Sequence, residues 1–473
     1  MKMKIAFATA TALGLLMSTA MADNNKGVVV QGTAASDSTG STASIDQSGG
    51  NNNLSKLTQL GDQNNATVRQ FGNNNGAGDH VQFSGTDASS NVTGYNYITQ
   101  NGNNNNLEID QSKNGNYIAR DGFLKQTGNF NDAEITQVGG ASSGNRVNKV
   151  EQKDATGTAS ALTNSLDVHQ SGASVIGVGS DYNYSPNLIE NVQQTWTGGG
   201  SANVLSVTQT GAIFNRGNIV KSAVQNGFGH QGTIEQSGLR NRVELLSQSG
   251  NSNTATIILD GDGNGSAASG NVNGTFKSGR GAEAAGAAAS TVSQSGSANA
   301  VNYQVLGADR NQFGFYQDGT GNQATGITIT GDANELGVNQ TGDRNSLTLS
   351  AISGDENIIG LKQNGSDNVA TINVSGNRNV GFNDFTSGPA GNLATSAGLT
   401  AGLLVQDGLG NSVSLTVTNG DNNVFASLQD GDTNVITATQ SGSSNEAAVA
   451  QNGNGNAASV SQIGGSNSVS IQQ

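Results

Sequence analysis

The chain has 473 residues and a formal net charge of −14, with 33% hydrophobic and 4% aromatic residues. This negative charge argues against nucleic acid or an anionic membrane surface as a partner, and the absence of cysteine excludes stabilisation by disulfides. So few apolar side chains cannot build a conventional globular core at this length. The 68 glycines with only two prolines favour a repetitive β-sheet, because proline cannot donate a hydrogen bond within a sheet.

Residues 1–22 have the features of a secretory signal peptide. Two lysines precede an apolar run, and Ala20-Met21-Ala22 fits an A-x-A cleavage site. The run is too short for a membrane span and no second run follows, so we expect export to the outside of the cell without a membrane anchor. The polar, small residues 23–40 are predicted to form a leader or an N-terminal cap.

In residues 41–152 the motif Q-x-G-x-x-N recurs, and five residues of alternating apolar and polar character follow each copy. The first copy is Gln47, Gly49 and Asn52. Alternation with a period of two predicts a short strand with one buried face. Glycine and asparagine predict a corner after it, because glycine accepts positive φ and asparagine tolerates the left-handed region. Each unit is therefore a strand and a corner.

Residues 153–232 are a degenerate continuation of this repeat, in which insertions lengthen some turns. Register returns in residues 233–473, apart from interruptions at 265–290 and 380–401. The composition of 265–290, rich in glycine, alanine and serine, predicts a loop or linker. The irregularly spaced anchors of the degenerate block are Gln170, Gln194, Gln209 and Gln225.

The spacing of the later anchors defines the repeat. Gln317, Gln340 and Gln363 are 23 residues apart, and aliphatic residues such as Ile329 and Ile352 stand half-way between them. Two units therefore make one coil of 22–23 residues. Stacked coils predict an all-β fold, a β-solenoid with two facing parallel sheets.

Stacking places identical residues about 4.8 Å apart, so that each buried glutamine or asparagine can bond to the copies above and below it. An unpaired buried amide would be costly, and the ladder avoids that cost. The residues predicted to form the ladders and turns are Gln47, Gly49, Asn52, Gln236, Gly238, Asn241, Gln317, Gly319, Asn322, Gln340, Gly342, Asn345, Gln363, Gly365, Asn368, Gln429, Gly431, Asn434, Gln440, Gly442, Asn445, Gln451, Gly453, Asn456, Gln462, Gly464 and Asn467.

These units resemble the curlin repeat, S-x5-Q-x-G-x-x-N-x5-Q, of curli amyloid subunits. Ser41 with the first copy of the motif matches it directly, and so do the four C-terminal units from residue 429 onward. The resemblance implies a subunit that is exported by outer-membrane curli-type machinery and stacks into extracellular β-solenoid fibres, which support adhesion and biofilm. Its implied partners are further copies of itself and possibly other curli subunits. This chain is far longer than the usual subunit of the family and carries inserts.

The sequence contains no pattern that predicts an enzyme or a cofactor. His80, His169 and His230 lack metal-ligand spacing. The segment 260–265 starts like a calcium loop, D-x-D-x-N-G, but its twelfth position is Asn271 instead of glutamate, and a repeat turn is the better interpretation. The acidic pair at 355–356 also falls at a predicted turn.

Two functions remain open at this stage. The first is a secreted structural protein that self-assembles into curli-like fibres. The alternative is a monomeric β-solenoid adhesin whose inserts, at 171–201 and 265–290, bind a ligand. Insertions in a solenoid lie on its outside, where binding is possible.

Overall fold

A computed structural model describes residues 26–31, 40–47, 54–73, 75–77, 97–114, 116–118, 123–139, 145–172, 187–211, 217–265, 280–305 and 307–473. The predicted signal peptide, most of the predicted leader, and Gly49 and Asn52 of the first motif lie outside these residues. His80 and residues 173–186 of the predicted insert at 171–201 also lie outside them.

Nearly all regular structure belongs to two parallel sheets. Sheet 1 contains β1 (Lys26–Gln31), β3 (Leu54–Leu60), β5 (Gly76–Ala77), β6 (Tyr97–Asn101), β8 (Tyr117–Ile118), β9 (Phe123–Thr127), β11 (Arg146–Asp154), β13 (Leu188–Trp196), β15 (Ile219–Phe228), β17 (Arg242–Val243), β18 (Leu245–Asn251), β20 (Thr291–Ser297), β22 (Gln312–Thr320), β25 (Glu335–Thr341), β27 (Ile358–Ser366), β29 (Leu403–Leu409), β31 (Val424–Asp430), β33 (Glu446–Asn452) and β35 (Ser468–Gln472). Sheet 2 contains β2 (Thr42–Asp46), β4 (Asn65–Phe71), β7 (Asn106–Ser112), β10 (Asn131–Val138), β12 (Asn164–Ser171), β14 (Asn203–Gln209), β16 (Gln231–Gln236), β19 (Thr254–Thr256), β21 (Ala300–Asn302), β23 (Gln323–Thr325), β24 (Ile329–Thr330), β26 (Ser346–Ser353), β28 (Val369–Ser375), β30 (Ser412–Thr418), β32 (Val435–Ser441) and β34 (Ala457–Ile463). Two short helices, α1 (Arg280–Ala285) and α2 (Pro389–Ala397), complete the fold.

The chain alternates between the two sheets, so that each coil contributes one layer to both. Every strand pairs in parallel with the corresponding strand of the next coil, and motif residues meet motif residues. Gln317 pairs with Gln340, which pairs with Gln363, at the predicted separation of 23 residues. The predicted β-solenoid with two facing parallel sheets is confirmed.

Alternation within each strand separates core from surface. In β7, Leu107, Ile109 and Gln111 are fully buried, whereas Glu108 and Asp110 between them face outward. One core cluster of such residues extends between the sheets from Leu57 to Val460. Each coil buries only a few aliphatic side chains, so stacking against neighbouring coils must supply most of the stability.

One part of the core is aromatic. Tyr303, Phe313 and Phe315 are all fully buried, and the rings of Tyr303 and Phe313 have centroids 4.7 Å apart. Tyr303 fills a position that a smaller aliphatic residue occupies in the adjacent coils. Burial raises the pKa of its phenol, so the group is neutral at any physiological pH.

The corners differ from expectation in one detail. Glycine at the third motif position has positive φ, as predicted, for example 103° at Gly342. The second left-handed residue, however, is the one before the asparagine: Arg344 has φ of 56°, and Thr433 also has φ of 56°. The motif asparagine stays outside the left-handed region, and its side chain bonds to the coils on either side.

The block at 153–232 forms strands β12 to β16 in register with the rest of the stack. Gln170, Gln194, Gln209 and Gln225 all take the predicted anchor positions. The predicted insert at 171–201 is wrong for residues 188–196, which form the regular strand β13 of sheet 1.

Part of each predicted interruption is helical. We call residues 280–290, with α1, arm 1, and residues 381–402, with α2, arm 2. The predicted loop or linker at 265–290 is wrong for residues 280–285, because alanines on α1 find an apolar surface on the outer face of sheet 1: Ala282 and Ala285 are buried there.

Candidate functional site: amide ladders and covering arms

A continuous column of hydrogen-bonded glutamine side chains, the glutamine ladder, runs along the inward face of sheet 1. In every coil the side-chain NH2 group donates to the side-chain oxygen of the next glutamine along the chain, over 2.7–3.2 Å. All these side chains except the two at the ends of the ladder are buried. The ladder contains Gln31, Gln59, Gln100, Gln126, Gln152, Gln194, Gln225, Gln248, Gln294, Gln317, Gln340, Gln363, Gln406, Gln429, Gln451 and Gln473.

Each rung also ties the two sheets together. Gln340 donates to Gln363 at 2.8 Å and to the backbone oxygen of Gln323, in sheet 2, at 2.9 Å. Both hydrogens of its NH2 group and its side-chain oxygen are therefore used. Because the partners are other buried amides, the ladder satisfies polar groups that would otherwise destabilise so thin a core.

The glutamine ladder of sheet 2 is interrupted. It runs through Gln47, Gln70, Gln111, Gln137, Gln170 and Gln209, and a second short piece joins Gln440 to Gln462. Between these pieces, aliphatic residues occupy the anchor position: Leu259, Val305, Ile329, Ile352, Val374 and Val417.

The two ends of this aliphatic tract have unsatisfied amides. Gln236 is fully buried, and neither its side-chain nitrogen nor its side-chain oxygen has a hydrogen-bond partner. Gln440, which follows Val417, has no donor for its side-chain oxygen. An aliphatic neighbour cannot bond to an amide, which accounts for the free oxygen of Gln440 and the free NH2 group of Gln236. The oxygen of Gln236 is also free because its other neighbour, Gln209, donates to the backbone oxygens of Leu188 and Asn218.

Asparagine ladders line both corners. Asn345 shows the pattern: its backbone N–H donates to the side-chain oxygen of Asn322 at 3.0 Å, and its NH2 group donates to the backbone oxygen of Gly365, in the next coil, at 2.9 Å. The NH2 group also reaches the oxygen of Thr341 within its own turn. Each asparagine thereby holds a corner shape and connects three successive coils.

Glycine is required at the corners because the coils lie so close. A Cβ atom on Gly342 would lie 2.0 Å from the oxygen of Gly365, which stands directly beneath it. The predicted glycines Gly319, Gly365, Gly431 and Gly442 meet the same obstruction from the next coil.

The predicted ladder residues that the structure describes therefore come together as columns along the stack. Gln236 lies in the glutamine column of sheet 2, but its side chain makes no hydrogen bond. His230, which the sequence analysis examined as a possible metal ligand, stands in an asparagine column.

Both arms cover the outer face of sheet 1 and are held by a buried carboxylate. Glu335, 4% exposed, accepts a hydrogen bond from the backbone N–H of Gly281 in arm 1 at 3.0 Å. Glu446, 7% exposed, accepts from the backbone N–H and the hydroxyl of Thr386 in arm 2, at 3.0 and 2.6 Å. Each glutamate is the first residue of its strand and follows a corner asparagine, so the two arms use equivalent positions in the coil.

The sheet beneath the arms has small side chains. A Cβ atom on Gly337 would lie 2.1 Å from the oxygen of Gly281 in arm 1. Under arm 2, Ala448 and Ala450 pack against Ala390 and Leu393. Sequence reasoning missed this contact; the available signal was the pair of glycines, Gly314 and Gly337, at outward positions of otherwise regular strands.

Ion pairs link neighbouring coils at the surface. Arg344 binds the carboxylate of Asp367 through two nitrogens, each at 2.7 Å, and lowers the pKa of that carboxyl by hydrogen bonding and by its charge. Arg378 binds Glu356 at 2.6 Å, also between coils. Exposed pairs of this kind contribute little to stability.

No group of three or more potential metal ligands occurs in the described ranges. Residues 260–265 form a corner in phase with the repeat, in which Asn264 continues the asparagine column. Among the residues described, no helix is long and apolar enough to cross a membrane.

Fold and ladders together define a class: a parallel β-solenoid in which columns of glutamine and asparagine amides run the length of the stack. Residues 442–473, which include β33, β34 and β35, match the family model of the curlin associated repeat. The resemblance to the curlin repeat is therefore confirmed for this segment. No curated protein matches the chain.

Proposed function

We propose that the chain is a secreted structural protein that stacks end to end into extracellular amyloid-type fibres, which support adhesion and biofilm in the manner of curli. The observation that carries this proposal is the glutamine ladder of sheet 1. It repeats the same bond from coil to coil, and the outermost strands offer the same bonding groups to another copy. In this proposal the chain is not an enzyme, and it needs no cofactor.

The open edges of the stack support the proposal. β35 pairs with β33 along one edge and β1 pairs with β3 along one edge; within the described part of the chain, their other edges have no strand partner. Such edges are templates for adding another strand. With Gln31 of a second copy placed after Gln473 of the first, Val30 stands over Gln472 and sheet 1 continues in register.

The proposed partners are further copies of the chain. Other curli subunits and outer-membrane curli-type export machinery follow from the resemblance, as does the location at the cell surface. The alternative, a monomeric adhesin whose inserts bind a ligand, has less support, because the described part of the insert at 265–290 packs against the chain's own sheet.

Cysteine pairing tests the proposed register directly. A mixture of the Val30→Cys and Gln472→Cys variants should assemble, bind thioflavin T and form disulfides between copies, because side chains in adjacent layers lie within reach of a disulfide. The matched control replaces Val30→Cys with Thr58→Cys, which lies in the same outward column one coil further in. That pair is about 9–10 Å apart across two layers, beyond the reach of a disulfide.

A chain that stays monomeric at high concentration would refute fibre formation. Fibres in which the control pair links as well as the test pair would refute the register alone.

A further inference from the structure

His230 occupies the place of an asparagine in a corner ladder. It follows Gln225 by five residues, as the motif requires, and is fully buried. Its backbone N–H donates to the side-chain oxygen of Asn203 in the preceding coil at 3.2 Å. In a regular rung of the same ladder, the backbone N–H of Asn322 donates to the side-chain oxygen of Asn299 at 3.0 Å.

The imidazole reproduces both functions of the amide it replaces. Its Nδ1 atom accepts the backbone N–H of Asn253, in the next coil, at 3.4 Å, as an asparagine oxygen would. Its Nε2 atom lies 3.2 Å from the backbone oxygen of Asn226, four residues earlier, where an asparagine NH2 group would donate. One nitrogen must accept and the other must donate, so this rung requires a neutral imidazole with its proton on Nε2.

Protonation of Nδ1 would place one N–H group against another. The ring would lose the bond to Asn253 and would carry a buried charge. The three turns around it, 201–203, 226–229 and 250–253, contain no acidic or basic residue. The charged groups on the adjoining strands β15 and β16 are engaged or exposed: Lys221 pairs with Glu244, and Glu235 faces solvent.

We propose that His230 makes the joint between its own coil and the coil of Gln248 an acid-sensitive rung, in a corner column whose neighbouring rungs are amides. Burial lowers the pKa of the imidazole below 6.5, although hydrogen bonds to backbone oxygens act in the opposite direction. The unfolded chain therefore takes up this proton first as the pH falls. Stability is full above pH 6.5, decreases between 6.5 and the lower pKa of the folded state, and is constant below that.

Hydrogen exchange of the backbone N–H of Asn253 reports directly on its bond to His230. After correction for intrinsic exchange, we expect its protection in the full chain to decrease below pH 6.5, by up to about tenfold per pH unit. The backbone N–H of Asn299 is the internal control. It donates to the side-chain oxygen of Asn253, in the next rung of the same column, and should keep its protection. Equal behaviour of the two amides would overturn the proposal.

Two variants separate this rung from general acid sensitivity. His230→Asn restores an ordinary amide rung and should abolish the pH dependence at Asn253. His169→Asn removes a histidine from an outward position of β12 and should leave the dependence unchanged. A wild-type pH profile that persists in His230→Asn would contradict the proposal. If His230→Asn does not fold, the comparison of the two wild-type amides still decides the question.

Discussion

At the scale of single residues, a glutamine side chain is stable in an apolar core only where other polar groups meet its NH2 group and its oxygen. Gln340 is in that situation: Gln317 donates to it and it donates to Gln363. Gln236 is buried to the same extent but has neither bond. The same residue type should therefore have opposite effects on stability at these two positions.

Replacing each glutamine with leucine tests this difference. Gln340→Leu should lower the free energy of unfolding by about 1–3 kcal/mol, because it leaves the oxygen of Gln363 buried without its donor. Gln236→Leu should be neutral, or should raise the free energy by up to about 2 kcal/mol, because no bond is lost and an orphaned amide is removed. Urea denaturation measures both. Equal losses in the two variants would contradict the ladder as a source of stability.

Much of this residue-level detail could be predicted from the sequence. Glutamines 22 or 23 residues apart in the sequence share a column, whereas those 11 apart lie in opposite sheets. The sequence does not show which ring nitrogen of His230 faces the next coil. It also does not show which of the two corner residues takes the left-handed conformation, because asparagine tolerates that region and is nevertheless needed elsewhere.

At the scale of elements, the arms are held by few contacts and should open more easily than the strands. Arm 2 leaves and rejoins the coil at Gly381 and Gly402, which touch, so its opening need not disturb the stack. Its polar attachments include the bonds of Thr386 to Glu446, of the Ala390 N–H to Ser468 and of the Asn383 NH2 group to Asn422.

The Glu446→Ala variant should loosen arm 2. It removes the acceptor of two hydrogen bonds, with an expected cost of about 1–3 kcal/mol for arm closure, so hydrogen exchange in residues 382–401 should become roughly tenfold faster or more. The matched control is Glu446→Gln, which keeps a side-chain oxygen for Thr386 and should exchange like the wild type. Unchanged exchange in the alanine variant would mean that the apolar contact alone holds the arm.

The arms are also where prediction from sequence failed. Helix α1 is short, and its glycine- and alanine-rich composition is that of a loop. Its position depends on Glu335 and Gly337, which lie about 50 residues further along the chain. Nothing local to 265–290 encodes that contact. The strands, by contrast, are specified within a few residues of themselves.

At the scale of the whole molecule, the coil is the unit that can be removed. Helices α1 and α2 make their main contacts with other strands, and residues 225–247 form one complete coil. Their deletion joins Val224 to Gln248 and leaves every later column in place.

We therefore expect the deletion of 225–247 to fold, with a circular dichroism spectrum and a urea midpoint close to those of the wild type, because stability in a stack is a sum of neighbouring contacts. Deletion of residues 225–235, half a coil, should instead destabilise the protein severely. It shifts all later strands to the opposite sheet, so that aliphatic anchors stand over glutamines. Similar stability of the two deletions would contradict a repeat of two strands.

The glutamine ladder of sheet 1 gives the molecule a direction. Every side-chain dipole in it points the same way, from Gln31 toward Gln473, so the dipoles add along the axis instead of cancelling. One terminus of the column presents a carbonyl oxygen and the other an NH2 group. Two rods brought together by like ends would set donors against donors at one end or acceptors against acceptors at the other, so an assembly of such molecules joined end to end would be polar.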